Sequence, residues 1–187
     1  MIKLKSLLET VETSEFEQWF RGSKIVDKDG KPLKLYHGTD KYFTSFRLSK
    51  EGALGKGIYL TPSTERASGY STDSAFGEKI RGGMVIPLYA SIKNPLVVSE
   101  DRNLSVDALV ALGIDRKKAL QMVEKAFEQK GNLFGQIFNK AISQGYDGIV
   151  VYRGNELWEV VAFDPTQVKS AISNKNYDRY HPDIRKE

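Results

Sequence analysis

A glutamate interrupts the apolar pattern of a predicted strand over residues 157–163. Side chains alternate between the two faces of a strand, so Leu157 and Glu159 are expected on one face and Trp158 on the other. A carboxylate in an apolar row raises the free energy of the fold unless a partner or water reaches it. Glu159 is therefore a candidate for a functional acid that faces a cleft; the alternative is that it lies near the start of the strand and reaches solvent. Glu156 is the competing carboxylate, and its place in the preceding turn predicts a solvated role.

A histidine ends another predicted strand, over residues 33–37. Leu33, Leu35 and His37 share one face of that strand, and Gly38 breaks it. His37 thus continues an inward apolar row with a side chain that can donate or accept a hydrogen bond. The alternative is a histidine whose hydrogen bonds are satisfied inside the core.

Two tyrosines lie in the next predicted elements. Tyr59 belongs to a short strand over residues 58–61, and Tyr70 belongs to a helix that begins after Pro62 and Ser63. Ser63 is a favourable N-cap for that helix because its hydroxyl can accept a hydrogen bond from a free amide of the first turn. Taken alone, both tyrosines are typical of core or half-exposed aromatic positions.

The order of the predicted elements favours an α+β fold. The predicted strands cover residues 33–37, 58–61, 84–92, 148–152, 157–163 and 167–172. A helical pattern over residues 105–144 separates the first three strands from the last three, and strands in blocks around a helical middle favour mostly antiparallel pairing. Residues 40–56 read as a loop that covers part of the molecule. With no linker or repeat in view, we expect one domain over residues 1–187, with an N-terminal helix at about 4–20 and a helical insertion at about 97–130.

Composition excludes several kinds of site. The sequence has no cysteine and two histidines, which excludes disulfides, thiolate nucleophiles and a cysteine-ligated or histidine-rich metal site, so no metal is expected. The first residues are basic, but their apolar run is too short for a signal peptide, and no transmembrane stretch follows. We therefore expect a cytoplasmic protein with no membrane partner. A net charge of +4 and a pI near 9.1 permit contact with nucleic acid without demanding it.

Four segments, in order, resemble the NAD+-binding site of the His-Tyr-Glu class of ADP-ribosyltransferases, which includes diphtheria toxin and the poly(ADP-ribose) polymerases. They are Tyr36-His37-Gly38-Thr39, Gly57-Ile58-Tyr59-Leu60-Thr61, Ala67-Ser68-Gly69-Tyr70-Ser71 and Glu159-Val160-Val161-Ala162-Phe163. The last segment resembles the catalytic strand of small ADP-ribosyltransferase domains in phage and mobile-element polyvalent proteins, in which the glutamate opens the strand. The likeness spans roughly residues 16–172, except for 97–130, and an ordered set of motifs is far more specific than one motif.

The resemblance implies a fold and a reaction. The fold is that of an ADP-ribosyltransferase: its core is a split β-sheet with mostly antiparallel strands, and helices lie at the periphery. The reaction is the transfer of ADP-ribose from NAD+, the co-substrate, to a macromolecular acceptor. Glu159 would hydrogen-bond a ribose 2′-hydroxyl and stabilise the positive charge that develops as the nicotinamide–ribose bond breaks.

The resemblance also assigns the binding residues. Tyr59 and Tyr70 would sandwich the cationic nicotinamide ring, since aromatic faces attract cations. His37 would fix the ribose on the adenosine side, with Thr39 in support, and the main chain of Gly38 would hold the carboxamide. The resemblance thus implies four catalytic residues, which are Glu159, His37, Tyr59 and Tyr70.

The identity of the acceptor stays open at this stage. Protein side chains and RNA or DNA are both possible acceptors, and the basic pI makes a nucleic acid a serious alternative. Transfer of a single ADP-ribose unit by a phage- or toxin-type effector is expected, with a neutralising antitoxin as a possible partner. The alternatives are an NAD+ glycohydrolase, a catalytically silent module that binds NAD+ or nucleic acid, and a structural protein of a virion.

Overall fold

The computed structural model describes residues 14–72, 83–128, 132–172 and 177–185. The helices in these ranges are α1 (Ser14–Phe20), α2 (Thr64–Thr72), α3 (Leu104–Ala111), α4 (Arg116–Glu128) and α5 (Leu133–Ser143). The strands are β1 (Leu35–Thr39), β2 (Ser49–Gly52), β3 (Gly55–Leu60), β4 (Met84–Ala90), β5 (Pro95–Ser99), β6 (Gly148–Arg153), β7 (Glu156–Ala162) and β8 (Val168–Ser170). None of the helices in this part of the chain is long and apolar enough to cross a membrane.

The strands of the described ranges form two sheets. The smaller has the order β1-β4-β8 and is antiparallel, and the larger has the order β2-β3-β7-β6-β5, with parallel pairing between β5 and β6. Tyr36 in β1 and Thr61 after β3 join the sheets by exchanging main-chain hydrogen bonds of 2.7 and 3.0 Å. The predicted α+β fold with mostly antiparallel sheets is confirmed.

The larger sheet is buried on both faces, and alternation along β7 divides the core in two. Val161 packs into a cluster with residues of α3, α4 and α5, including Ile137. Val160 and Ala162 pack on the opposite side with residues of the smaller sheet, including Leu35. The helices therefore cover one face of the larger sheet and the smaller sheet covers the other, and the start of β7 lies near the junction of the sheets.

Two predicted boundaries differ from the structure. The described part of the predicted N-terminal helix is α1, whereas residues 4–13 lie outside the described residues. The helices of the predicted insertion begin at Leu104 because residues 95–99 form β5, in which Leu96 and Val98 are buried and Val97 is exposed. That alternation has the period of a strand rather than of a helix.

Candidate active site

A cavity of about 1150 Å³ opens where the two sheets are joined, large enough for a dinucleotide since typical small-molecule sites are about 300–1,000 Å³. It is lined by residues from β1, β3, α2, the start of β7 and the loop over residues 40–48, which we call the covering loop. The predicted site residues that line it are His37, Gly38, Tyr59, Tyr70 and Glu159. Thr39 is not part of this lining; its hydroxyl accepts a hydrogen bond from the Lys41 N–H at 3.1 Å.

His37 is held in one tautomer by the main chain. Its Nδ1 lies 2.8 Å from the carbonyl oxygen of Tyr59. A carbonyl can only accept, so Nδ1 carries the hydrogen and Nε2 of the neutral ring keeps a lone pair. Burial lowers the pKa of His37, while the hydrogen bond to Tyr59 opposes that shift, so the imidazole is neutral at pH 7.

Two phenylalanines of the covering loop surround the His37 ring. The ring centroid of Phe46 is 4.9 Å from that of His37 with the planes at 87°, and the centroid of Phe43 is 6.2 Å away at 71°. Phe43 and Phe46 also meet edge to face, at 4.6 Å. Edge-to-face contacts of this kind stabilise aromatic clusters beyond their burial, so the loop fixes the plane of the imidazole.

Gly38 is required for packing between β1 and α2. A Cβ at this position would lie 1.7 Å from the carbonyl oxygen of Ala67, a distance that no side chain permits. The glycine therefore lets α2 approach β1 closely, which brings Tyr70 and His37 to one cavity. Ser63 caps α2 as predicted, since its Oγ accepts from the Arg66 N–H at 3.2 Å.

Tyr59 is folded back onto its own hairpin. Its hydroxyl donates to the Gly55 carbonyl at 2.7 Å and accepts from the Leu54 N–H at 3.0 Å. The ring lies against Gly52, where a Cβ would come within 2.1 Å of it. Burial raises the pKa of the Tyr59 hydroxyl, so it stays protonated and the ring acts as a fixed aromatic wall.

Tyr70 is more exposed to solvent than Tyr59. Its residue surface is 67% exposed, against a half-buried Tyr59. Burial of the hydroxyl and the nearby charge of Glu159 both raise the pKa of Tyr70. The two tyrosines thus lie at the same cavity, one fixed and one at its open rim.

A β-bulge places Trp158 beside Glu159. In the pairing of β6 with β7, Val151 faces Glu159 and the next residue, Tyr152, faces Leu157, so Trp158 is the extra residue. Trp158 then packs on the side of Val161, and Leu157 packs on the side of Val160. The predicted alternation is therefore wrong for Trp158 and Leu157, because a bulge shifts the strand by one residue and re-aims a side chain. Trp158 and Glu159 both line the cavity as a result.

The main-chain carbonyl of Trp158 accepts hydrogen bonds from a residue of α2 and from the residue that follows β3. The oxygen of Trp158 accepts from Arg66 Nη1 at 2.8 Å and from Thr61 Oγ1 at 3.2 Å. The guanidinium carbon of Arg66 also lies 3.6 Å from the centroid of the Trp158 ring, and that of Arg153 lies 3.7 Å from it. Arg153 is in turn paired with Glu100 through hydrogen bonds of 2.6 and 3.0 Å.

Glu159 is a carboxyl group of this cavity whose pKa is raised from its ordinary value. Its pKa is raised to about 7, first by burial and then by the charge of Glu100, while Arg153 and Arg66 oppose the shift. No hydrogen bond joins its carboxylate to any part of the chain that the structure describes, so its oxygens are available to a ligand. Glu156 differs: its side chain is 72% exposed, 3.5 Å from Arg66, and outside the cavity lining.

Sequence reasoning did not identify the charged residues around Glu159. Arg66 carries a weak signal, because it lies four residues before Tyr70 and so shares its helix face. Glu100 carries none, since it is 53 residues from Arg153 and only the parallel pairing of β5 and β6 brings them together. No group of three or more histidine, aspartate or glutamate side chains that could hold a metal ion occurs among the residues described.

The two joined, mostly antiparallel sheets form an α+β fold consistent with a domain of the ADP-ribosyltransferase class. The chain belongs to the family described as the ADP-ribosyltransferase in polyvalent proteins, whose model matches residues 27–177. Families of this class use NAD+ as co-substrate. No curated protein matches the chain. Among solved structures, the chain is similar to a crystal structure of an anti-CRISPR protein, at 17% identity and a TM-score of 0.34, over 70% of this chain and 88% of that one. A likeness of this size carries no information about function.

Proposed function

We propose that the protein is a mono-ADP-ribosyltransferase of the His-Tyr-Glu type, which transfers ADP-ribose from NAD+ to a macromolecular acceptor. The observation that carries the proposal is the surroundings of Glu159: a carboxyl with a pKa near 7 in a cavity that His37, Tyr59 and Tyr70 also line. Perturbed carboxyl groups in large cavities mark functional sites more often than structural ones.

Glu159 supplies what the reaction needs at the ribose. The bond between ribose C1′ and the nicotinamide nitrogen breaks, nicotinamide leaves with the bonding electrons, and positive charge develops on the ribose. An ionised Glu159 accepts a hydrogen bond from the 2′-hydroxyl and stabilises that charge. The acceptor's nucleophile then bonds to C1′ and gives up a proton.

The other wall residues bind and orient NAD+. Nε2 of His37, with its lone pair, accepts a hydrogen bond from a ribose hydroxyl, because Nδ1–H is already engaged by Tyr59. The fixed ring of Tyr59 forms one side of the nicotinamide site, and the exposed Tyr70 closes on the other side. The main chain of Gly38 holds the carboxamide, whereas Thr39 acts indirectly through the turn to Lys41.

The family and the charge support a proposal for the biological role. The family is described as one of polyvalent proteins, and we propose that the chain acts as a cytoplasmic effector of phage or toxin type, with an antitoxin as a partner. We propose one domain, with protein or nucleic acid as the acceptor; the pI near 9.1 supports RNA or DNA.

The test is transfer of label from NAD+ labelled in its adenylate part to a bacterial lysate that is separated into protein, RNA and DNA. We compare the wild type with Glu159→Gln and with Glu156→Gln, a matched carboxyl-to-amide change three residues away, at the first residue of β7. Loss of a group that stabilises transition-state charge lowers kcat by about 10²–10³-fold, so label should vanish in Glu159→Gln and persist in Glu156→Gln.

Each fraction gives a distinct answer. Label in protein defines a protein-directed transferase, and label in RNA or DNA defines a nucleic-acid-directed one. Nicotinamide release without label identifies a glycohydrolase. If the wild type releases no nicotinamide and leaves every fraction unlabelled, the chain is a silent binding module and the proposal is wrong.

A further inference from the structure

The covering loop is tied to the C-terminal segment, residues 177–185. The Ile184 N–H donates to the carbonyl of Thr44 at 2.7 Å, and Asp183 forms an antiparallel bridge with Ser45. Arg185 donates to the Tyr42 hydroxyl at 3.0 Å, with its guanidinium carbon 5.0 Å from the Tyr42 ring centroid. Three successive residues of the segment thus hold the loop.

The C-terminal segment is itself anchored to β8. The Ser170 N–H donates to the Ile184 carbonyl at 2.9 Å, and Ile184 is fully buried. Lys169, the neighbour of Ser170, is also fully buried, and its ammonium donates to the carbonyls of His181 and Asp183. A buried ammonium needs such acceptors, so the ordering of the segment and the burial of Lys169 depend on each other.

The tied part of the loop forms the wall of the cavity beside His37. Tyr42, Phe43 and Phe46 line the cavity, and the two phenylalanines contact the His37 ring edge to face. A continuous path of contacts therefore leads from Lys169, through the C-terminal segment and the covering loop, to the imidazole.

We propose that Lys169 and Arg185 are positioning residues for the NAD+-binding wall: through the C-terminal segment they hold the covering loop against His37. The inference rests on the proposed function for its ligand. Neither residue lines the cavity that Glu159 lines, so they act on the binding of NAD+ through the covering loop and leave the bond-breaking step unchanged.

The first measurement is the steady-state rate of nicotinamide release for Lys169→Met, which keeps the aliphatic side chain and removes the ammonium. KM for NAD+ should rise about tenfold with kcat within about twofold, since a positional loss in ground-state binding raises KM alone. Hydrogen–deuterium exchange at residues 42–46 should quicken as well, because the amide and carbonyl partners in the C-terminal segment are released.

A second pair of variants, with milder changes, tests the proposal if Lys169→Met does not fold. Arg185→Ala removes only the contacts to Tyr42, and Arg179→Ala removes a guanidinium of the same segment that lies 5.7 Å from the Tyr180 ring centroid. Arg185→Ala should raise KM about threefold and quicken exchange at residues 42–46, in line with the loss of one hydrogen bond, and Arg179→Ala should do neither.

The outcomes separate the two proposals. The positioning role is overturned if Lys169→Met folds and leaves hydrogen–deuterium exchange in residues 42–46 unchanged, or if its kcat falls while its KM does not. Where Lys169→Met does not fold, the same two criteria apply to Arg185→Ala. If the wild type does not bind NAD+ and releases no nicotinamide, the proposed function is wrong and so is the role in NAD+ binding; exchange then reports only whether the segment holds the loop.

Discussion

The two walls of the cavity are held by different forces. On the β1 side, His37 is fixed by one main-chain hydrogen bond and by the edges of Phe43 and Phe46, with a neutral imidazole. On the β7 side, Glu159 lies beside Arg66, Arg153 and Glu100, whose charges shift its pKa in opposite directions. We call these the aromatic wall and the charged wall.

The difference matches the role that we propose for each wall. Binding of a ribose hydroxyl needs a fixed acceptor whose protonation does not change near pH 7, and aromatic packing with burial provides it. Stabilisation of a developing positive charge needs a carboxylate held in position inside a low-dielectric cavity, where surrounding charges set its ionisation. Changes in the aromatic wall should therefore act on binding, and changes in the charged wall on the chemical step and on pH dependence.

Among changes to the residues that surround Glu159, the largest effect is expected from Arg66→Met in the charged wall. This change removes one of the two side-chain donors that hold the Trp158 carbonyl at the bulge, the other being Thr61, and one guanidinium over the Trp158 ring. Glu159 is the next residue, and misplacement of a reacting group by about 1 Å costs about 100-fold in rate. We expect kcat for nicotinamide release to fall by that order with a small change in KM.

Glu156→Gln is the control for Arg66→Met. It breaks the 3.5 Å contact between Glu156 and Arg66 without touching the Trp158 carbonyl. An exposed pair of this kind contributes little, so its kinetics should match the wild type. Equal losses in both variants would show that the ion pair, and not the hold on the bulge, is what matters.

The second effect is on stability, and it tests the charged wall without NAD+. A folded-state pKa of about 7, against an ordinary value of 4.5, means that ionised Glu159 destabilises the fold by up to about 3 kcal/mol. The penalty is absent below pH 4.5, grows as pH rises from 4.5 to 7, and is complete above pH 7. Glu159→Gln should therefore raise the free energy of unfolding by about 1–3 kcal/mol at pH 8 and leave it unchanged at pH 4.

Urea unfolding at the two pH values measures this difference. Glu156→Gln should leave the free energy of unfolding unchanged at both, because its carboxyl is exposed. A Glu159→Gln protein that is less stable than the wild type at pH 8 would mean that the carboxylate is stabilised by its neighbours rather than strained by burial.

The third effect belongs to the aromatic wall. His37→Phe keeps an aromatic ring against Phe43 and Phe46 but removes the acceptor Nε2 and leaves the Tyr59 carbonyl without its donor. Loss of a single hydrogen bond to ligand corresponds to about tenfold in affinity, so KM for NAD+ should rise by that factor with kcat changed less. Steady-state kinetics checks it, and a fall in kcat alone would place His37 in the chemical step.

The aromatic wall was the easier of the two to predict from sequence. His37 follows the apolar row of Leu33 and Leu35, so its inward direction follows from strand alternation alone, and Gly38 stands next to it in the same motif. The ordering of short motifs along the chain then predicts that β1, β3 and α2 meet. Thr39, from the same motif, has no place in the cavity lining because its hydroxyl is engaged in the turn to Lys41.

The charged wall could be predicted only in part. The position of Glu159 follows from alternation, but that of Trp158 does not, because a bulge depends on the pairing of β6 with β7 and leaves no local signature. Glu100 and Arg153 meet through a parallel strand pair whose register no local pattern gives. The pKa of Glu159 depends on all of these contacts, so no reading of the sequence could have predicted it.

The smallest effect is a displacement of the pH profile. In the proposed mechanism Glu159 acts when ionised, so kcat/KM for NAD+ should rise with pH, with an apparent pKa near 7 that reports the free enzyme. Burial lowers the pKa of His37 from its ordinary value, so its deprotonation falls at lower pH than the rise expected from Glu159. Glu100→Gln removes the charge that raises the pKa of Glu159 and frees Arg153, which lowers it, so the rise should move to lower pH. Initial rates at a low NAD+ concentration between pH 5 and 9, with Glu156→Gln as the unshifted control, measure the displacement; if the Glu100→Gln profile coincides with that of the wild type, the titrating group is not Glu159.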